Sequence, residues 1–326
     1  MKIAPGVRLS VSKSTLGLSF GVPGARVSMN TRGDVYRSVG IPGSGLYDVK
    51  RSSVRSKRGR TRKPKPGEFK IDSPPPGFFA PKSKKALFRA VRDENVAAFE
   101  SAANEHPDIK YVAMALSLPL KLKGTTKDSA DFIDSASEIW NQRANLESDP
   151  LFIEYAKNFE ATIIIAPGVA IPMQYGIVAL GLIYVELLQL EDRYPDALLV
   201  AESLPANQAT ALALAECELQ LLRWPDVLET TEDIENIDDA TALLLIYRAI
   251  ALRETGLLDA AIETLRLARS SRSRHEDVLN KALFERAICY EKSGKAAKAR
   301  KDFEKIMATD SDFPGVAEAL KRLALE

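Results

Sequence analysis

Four side chains have the chemistry for metal binding or nucleophilic attack, namely His106, His275, Cys217 and Cys289. They are the only two histidines and two cysteines among 326 residues. Neither histidine has a second His or a Cys at zinc-ligand spacing, and no C-x-x-C, P-loop or dinucleotide fingerprint occurs. Any fold could assemble a Ser-His-Asp set, but no pattern indicates one. We therefore expect no enzyme and no cofactor, and we interpret both thiols as buried packing groups.

The residues best suited to bind an anion form a basic arm between positions 50 and 65. The arm holds nine Lys or Arg and no acid, and proline-rich residues 64–81 follow it. Such a composition buries too little apolar surface to order itself, so we predict a flexible basic and Pro-rich linker over 49–82. Nucleic acid or another anionic surface could bind here, although no aromatic side chain lies between Tyr47 and Phe69 to stack on bases. The arm consists of Lys50, Arg51, Arg55, Lys57, Arg58, Arg60, Arg62, Lys63 and Lys65.

Charge is distributed unevenly along the chain. Residues 1–85 carry nineteen Lys or Arg against four Asp or Glu, whereas residues 86–326 carry twenty-six against forty. The net charge of +1 therefore conceals a basic N-terminal part joined to an acidic body. Because the two parts should attract each other, intramolecular docking of the N-terminal domain on the body is a further interpretation.

Residues 161–185 contain no charged side chain, which raises the question of a membrane span. A bilayer crossing needs about 20 apolar residues. Here Pro167, Pro172 and Gly176 interrupt the run, and acidic rather than basic residues flank it. We predict no membrane span. Two β-branched runs around a Pro-Gly pair instead predict a β-hairpin near 161–174, followed by a buried helix.

The first fifty residues alternate apolar and polar side chains in short runs. Val7, Leu9 and Val11 follow the period of two that is typical of a half-buried strand. The segments SFGVPGA and SVGIPGS, nineteen positions apart, each end in a Pro-Gly turn, because Pro fixes φ and Gly accepts a positive φ. The pattern predicts a small antiparallel β-meander over 1–48.

This N-terminal segment resembles a short glycine- and serine-rich bacterial family of unknown function. The shared pattern runs roughly P-G-x-R-[LIV]-x-[LIV]-S-K-S-G and ends in G-[LIV]-P-G-[ST]-G-L-[SY]. Thr15 stands where the family usually has glycine. The resemblance implies a fold and a bacterial or phage origin, and it implies no activity.

Beyond residue 82 the apolar residues follow helical spacing and then repeat. RYPDALLVAESL at 193–204 parallels RWPDVLETTEDI at 223–234, and the segment 248–265 parallels 286–303. Periods near 34 residues predict stacked helix-turn-helix units. The turns between the paired helices are predicted at Asp192, Leu222, Gly256 and Gly294.

The last of these units resembles a tetratricopeptide repeat, and the unit before it matches less fully. The residues on the signature positions are Leu283, Ala287, Tyr290, Gly294, Ala299, Phe303 and Asp310. The resemblance implies a helical-repeat domain over 83–326. The predicted fold class is therefore α+β and multidomain, with a small N-terminal antiparallel β-meander and a C-terminal tetratricopeptide-like α-solenoid that contains the inserted β-hairpin.

In such a solenoid, first-helix positions line an inner groove that holds a partner. Carried over from the resemblance, these positions are Leu243, Ile246, Ile250, Arg253, Phe284, Ile288 and Glu291. Their mixture of apolar and charged side chains suits an extended peptide or a helix rather than a metabolite. The chain's own N-terminal half is an equally good candidate for the occupant.

Arg248 and Arg286 occupy a repeat position at which the family normally has leucine. A guanidinium there would be partly buried and must be paired. One interpretation is an internal bridge to Glu285, Glu263 or Asp302, and the other is a clamp for a carboxylate or phosphate of a partner.

Together these patterns predict a non-enzymatic protein-interaction module or scaffold that binds a partner peptide or helix. Association with nucleic acid or an anionic surface through residues 50–65 is the alternative function. The opening residues lack the apolar core of a signal peptide, and the two cysteines form no disulfide framework. We therefore expect a cytoplasmic protein.

Overall fold

The structure is a computed structural model. It describes residues 73–122 and 130–324, with side chains except at 130 and 131, and the backbone of six strands before residue 54. These strands are β1 (Lys2–Ala4), β2 (Val7–Ser12), β3 (Thr15–Val22), β4 (Ala25–Asn30), β5 (Asp34–Gly40) and β6 (Tyr47–Ser53). Each pairs antiparallel with the next along the chain. Lys50 and Arg51 of the basic arm lie in β6, beyond the predicted end of the meander at residue 48.

The described chain after residue 72 is mostly helical, with one small two-stranded antiparallel sheet. The helices are α1 (Lys82–Arg92), α2 (Val96–Glu105), α3 (Lys110–Leu122), α4 (Ala130–Asn141), α5 (Arg143–Ser148), α6 (Pro150–Ala156), α7 (Ile177–Leu190), α8 (Tyr194–Glu202), α9 (Gln208–Gln220), α10 (Trp224–Thr230), α11 (Asp239–Glu254), α12 (Leu258–Ala268), α13 (Glu276–Lys292), α14 (Ala296–Thr309) and α15 (Val316–Leu323). A short 3₁₀ helix, Pro107–Ile109, precedes α3. Within the described ranges, none of these helices combines the length and the apolarity that a bilayer crossing requires.

Each predicted inter-helix turn contains a residue with a left-handed backbone. The φ angle is +57° at Asp192, +58° at Leu222, +85° at Gly256 and +68° at Gly294, which confirms all four predicted turn positions. At three of these turns, Leu222 excepted, the next amide donates to the carbonyl five positions earlier at 2.8–2.9 Å. This bond belongs to the Schellman motif, which satisfies carbonyl groups at a helix end.

Two compact units divide the chain. One contains Leu222–Glu326 together with Ile164–Ala170, and the other contains Arg62–Ile163 together with Ile171–Leu221. In the first unit α11 packs on α12 and α13 packs on α14, and in the second α7 packs on α8.

Alanine occupies the places where these paired helices meet in the first unit. Ala249 and Ala261 are fully buried in one pair, and Ala287 and Ala299 are fully buried in the next. Ala287 and Ala299 lie on signature positions of the last predicted repeat. A side chain without a γ atom lets two helix axes come close, so the buried alanines allow each helix pair to pack closely.

The predicted hairpin consists of β7 (Glu160–Ala166) and β8 (Val169–Gln174), one residue longer at its start than predicted. Gly168 in its turn has a φ of +78°, and a Cβ there would lie 2.5 Å from Nδ1 of His275. Glycine is therefore required both by the backbone and by the close approach of the imidazole. The hairpin tip rests on the start of α13, since His275 is the N-cap of that helix.

The end of the predicted linker is ordered against the second unit. Ser73 is buried, its hydroxyl donates to the carbonyl of Glu154 at 3.1 Å, and it accepts from the amide of Asn158 at 3.3 Å. Buried polar groups need such partners. These two hydrogen bonds hold Ser73, which lies within the predicted linker range 49–82, against Glu154 and Asn158.

Candidate functional site

The predicted groove residues stand on α11 and α13, the first helices of the last two repeats, which contact each other directly. Equivalent positions have the same offset from the turn glycine of their repeat. Ile250 and Ile288 each lie six residues before Gly256 or Gly294, respectively. We call the surface formed by Ile250, Phe284, Ile288 and Glu291 the α11–α13 face, and we leave out the predicted groove residue Arg253 because it is buried.

Two of the predicted groove residues belong to the core instead. Leu243 and Ile246 are buried, and all five consecutive residues Leu243–Tyr247 are buried with them. Five consecutive positions cover every direction around a helix, so this half of α11 is enclosed on all sides. The groove assignment therefore needs correction at these two residues. A helix position predicts the direction in which a side chain points, but not what covers it.

The apolar members of the α11–α13 face are all partly accessible. Ile250, Phe284 and Ile288 are half-buried. The ring of Phe284 packs on Phe303 and Phe313, with centroids 5.6 and 5.5 Å apart. Phe284 thus supports the C-terminal end of the fold, whereas Ile250 and Ile288 keep part of their side chains exposed.

Charged side chains surround these isoleucines and form a chain of ion pairs. Arg253 donates to Glu285, and both side chains are only 6% exposed. Lys281 lies 2.8 Å from the second oxygen of Glu285. Arg253 also reaches Glu254 at 2.6 Å, and Lys292 binds Glu254 at 2.9 Å. Cations and carboxylates therefore alternate along the boundary between α11 and α13.

The ion pairs fix the protonation of their members. Burial alone would raise the pKa of Glu285, but Lys281 and Arg253 outweigh burial and lower that pKa to about 2. Burial alone would lower the pKa of Arg253, but Glu285 and Glu254 outweigh it and raise the pKa. Both groups are therefore charged at neutral pH, and each neutralises the other.

Glu291, the charged member of the face, is also paired. Its two carboxylate oxygens accept from Nη2 of Arg322 on α15 at 2.8 and 3.0 Å. The α11–α13 face thus combines two partly exposed isoleucines with charges that are paired within the chain. The face offers apolar contact rather than unbalanced charge.

Both arginines of the predicted anion clamp are engaged inside the chain. Arg286 forms a two-bond bridge to Asp302, at 2.8 and 2.9 Å, which is one of the internal bridges that the sequence suggested. Arg248 donates to the carbonyls of Leu228 and Thr231 at the end of α10. Arg248 therefore caps a helix C-terminus rather than forming a bridge.

Sequence reasoning missed Arg269, which lies beside Arg286. Its Nε is buried and has no hydrogen-bond partner among the residues that the structure describes. Burial and the charge of Arg286 lower the pKa of Arg269. Arg269 follows the last residue of α12, where a cation is ordinary, so the sequence contained no signal that distinguished it.

The remaining site predictions concern metal binding and the basic arm. In the described ranges, no three His, Cys, Asp or Glu side chains are grouped to hold a metal ion. The remaining arm residues lie outside the described part of the chain: Arg55, Lys57, Arg58, Arg60, Arg62, Lys63 and Lys65.

Two protein families match separate parts of the chain. Residues 1–49 match the family described as "Protein of unknown function (DUF4236)". Residues 180–325 match "T7SS, ESX-1 secretion system protein EccA1, N-terminal domain". The first match confirms the resemblance to a family of unknown function. A comparison with curated proteins gives no match.

Solved structures resemble the helical part. The N-terminal domain of the EccA1 ATPase from the ESX-1 secretion system of Mycobacterium tuberculosis aligns at 18% identity and a TM-score of 0.55, covering 74% of this chain and 88% of that one. YrrB, a TPR protein with an unusual peptide-binding site, aligns at 14% identity over 73% and 99% of the chains with a TM-score of 0.38. A tetratricopeptide repeat protein from Parabacteroides merdae aligns at 13% identity over 76% and 100%, with a TM-score of 0.37. The likeness to the EccA1 domain shows a shared fold.

Proposed function

We propose that this chain is a non-catalytic protein-interaction module that binds a segment of a partner protein on the α11–α13 face. The observation that carries the proposal is the equivalence of Ile250 and Ile288. Both are half-buried, both face a boundary whose charges are paired, and they repeat at the same place in consecutive units.

The spacing of the two isoleucines suits a polypeptide. Neighbouring helices pack about 8–10 Å apart, and a polyproline II segment has three residues per turn and advances about 3.1 Å per residue. Two apolar side chains three residues apart on a partner in this conformation lie on one face and would reach Ile250 and Ile288 together. An apolar contact of this type is expected to depend weakly on salt, because long-range charge attraction contributes little. Nucleic-acid binding through residues 50–65 would instead weaken steeply with salt.

Site-specific photo-cross-linking in the native cell tests the proposal. A photoreactive amino acid replaces Ile250 or Ile288, and a control chain carries it at Leu267, which is exposed on α12 in the same unit. We expect one protein to cross-link from both face positions and not from Leu267. The substitution Ile288→Glu should abolish the adduct formed from position 250 while leaving the thermal unfolding temperature unchanged. Equal cross-linking from Leu267, or persistence of the adduct in Ile288→Glu, would reject this site.

We also propose that residues 1–48 form a separate β-meander domain joined through the basic linker to a helical-repeat domain over 83–326. The antiparallel pairing of consecutive strands and the match of residues 1–49 to one family support this division. Limited proteolysis should then cleave first between Ser53 and Ser73 and leave both fragments resistant. The bacterial and cytoplasmic setting stays a prediction.

A further inference from the structure

Two neighbouring phenyl rings project into solvent just before α1. Phe78 is 87% exposed and Phe79 is 95% exposed, and their rings meet edge to face with centroids 5.2 Å apart. Single exposed apolar residues are common on proteins, whereas adjoining exposed aromatic rings mark a place that another surface covers.

The rings project from an anchored turn rather than from a loose tail. The amide of Ala80 donates to the carbonyl of Gly77 at 3.0 Å and closes the turn. Lys85 donates to the carbonyl of Phe78 and lies 5.7 Å from the centroid of its ring. At the other side, buried Ser73 fixes the start of the proline-rich segment. The positions of the two rings are therefore set before any partner binds.

A stripe of cations continues from the rings along α1. Lys82, Lys85 and Arg89 follow the spacing i, i+3, i+7, which places them on one side of the helix. The opposite side, which includes Leu87 and Val91, is fully buried. None of the three cations forms an ion pair with a described residue, in contrast to Lys84, which pairs with Glu154, and Arg92, which pairs with Asp93. We call Phe78, Phe79, Lys82, Lys85 and Arg89 the aromatic–basic surface.

We propose that the aromatic–basic surface docks the chain on an anionic lipid bilayer. The phenyl rings would enter the boundary between head groups and acyl chains, while the cations lie against the lipid phosphates. An anionic bilayer has negative charge at its surface and an apolar interior directly beneath. The cations of the aromatic–basic surface would contact the charged layer, while its rings enter the apolar layer. A bilayer can accept both rings without a pocket that fits two rings at right angles to each other.

A single-stranded nucleic acid fits the surface less well. Bases bind aromatic side chains by stacking on open ring faces. Here the edge of one ring covers a face of the other, and Lys85 lies over Phe78. The lipid proposal is independent of partner binding on the α11–α13 face, because the two surfaces share no residue.

Co-sedimentation of the full chain with vesicles tests the proposal. We expect binding to vesicles of phosphatidylcholine mixed with phosphatidylserine and much weaker binding to phosphatidylcholine alone. Phe78→Ser combined with Phe79→Ser should lower the partition coefficient on the order of tenfold, because binding scales with the apolar area that enters the interface. Lys82→Gln combined with Arg89→Gln should lower the partition coefficient and flatten its salt dependence. Leu257→Ser, which removes an exposed apolar residue elsewhere, should change nothing.

The basic arm needs a separate control, since its nine cations could attract vesicles by themselves. A chain in which these residues are replaced by Gln should still respond to loss of the two phenylalanines. Unchanged binding of the double Phe variant would overturn the proposal, as would absence of binding to the mixed vesicles. So would a single-stranded oligonucleotide that binds with the same dependence on Phe78 and Phe79 while vesicles do not.

Discussion

The carboxylate of Glu285 on α13 accepts a hydrogen bond from the guanidinium of Arg253 on α11, 32 positions earlier in the chain. Each side chain is 6% exposed. The pair therefore connects the first helices of two consecutive repeats beneath the α11–α13 face. Burying two charges costs solvation, and their attraction offsets that cost only while both remain.

Removing one partner should therefore lower the free energy of unfolding more than removing both. Glu285→Met leaves Arg253 buried without its main partner, and we expect the free energy of unfolding to fall by about 3–5 kcal/mol. Combining Arg253→Met with Glu285→Met should restore much of that loss. Chemical denaturation measures both values. Lys295→Gln, which breaks an exposed pair with Asp259, is the control and should cost under about 1 kcal/mol. A double variant less stable than Glu285→Met would contradict this account.

The same pair should make stability depend on acidity. The pKa of Glu285 is lowered from 4.5 to about 2 in the folded chain. Its contribution is therefore fully present above pH 4.5 and is lost as the pH falls towards about 2. The stability difference between the wild type and Glu285→Met should narrow over that window. Urea titrations at several pH values measure it, and a constant difference would show that Glu285 does not titrate there.

Leu222 is expected to be strained. It is the only non-glycine, non-polar residue among the described positions with a positive φ, at +58°, and its side chain is 63% exposed. Since a left-handed backbone costs about 1–2 kcal/mol for a residue with a Cβ, Leu222→Gly should raise the free energy of unfolding by about 1 kcal/mol. Leu257→Gly is the matched control, because Leu257 is also exposed but has a φ of −85°. Equal changes in the free energy of unfolding for the two substitutions would show that Leu222 is not strained.

Both thiols should be unreactive in the folded chain. Burial raises the pKa of Cys217 to about 12 and that of Cys289 to about 11, so almost no thiolate exists at pH 8. A thiol reagent should label neither cysteine in buffer and both in denaturant. Fast labelling of native protein at either site would show that the repeat packing around that cysteine opens.

Local sequence signals predicted the helical units well. The four turns between paired helices lie at the predicted residues. Asp149 caps α6 by accepting from the amides of Leu151 and Phe152, which is the arrangement that an Asp-Pro pair favours at a helix start. The apolar residues of α4 at helical spacing, from Phe132 to Trp140, are buried. Such features depend on neighbours within one helix, and the four turn positions depend only on the repeat spacing, so both can be read without knowledge of the fold.

Contacts between residues far apart in the chain could not be predicted from these local signals. Arg253 was expected to line an open groove, but its partner Glu285 lies in the next repeat. Leu243 was expected to be accessible, yet it is enclosed. The sequence did not indicate that Phe78 and Phe79 are exposed, because their exposure depends on how the turn that carries them is anchored. Burial and pairing across repeats depend on packing distances that spacing along the chain does not encode.

Side-chain footprinting with hydroxyl radicals, applied to the full chain with and without the partner identified by cross-linking, tests the central claim most directly. Ile250 and Ile288 are half-buried in the free chain and should be labelled there. The account predicts that binding protects both residues while Leu199 and Leu267, exposed elsewhere, keep their labelling. Protection of Leu199 and Leu267 together with unchanged labelling of Ile250 and Ile288 would contradict the account.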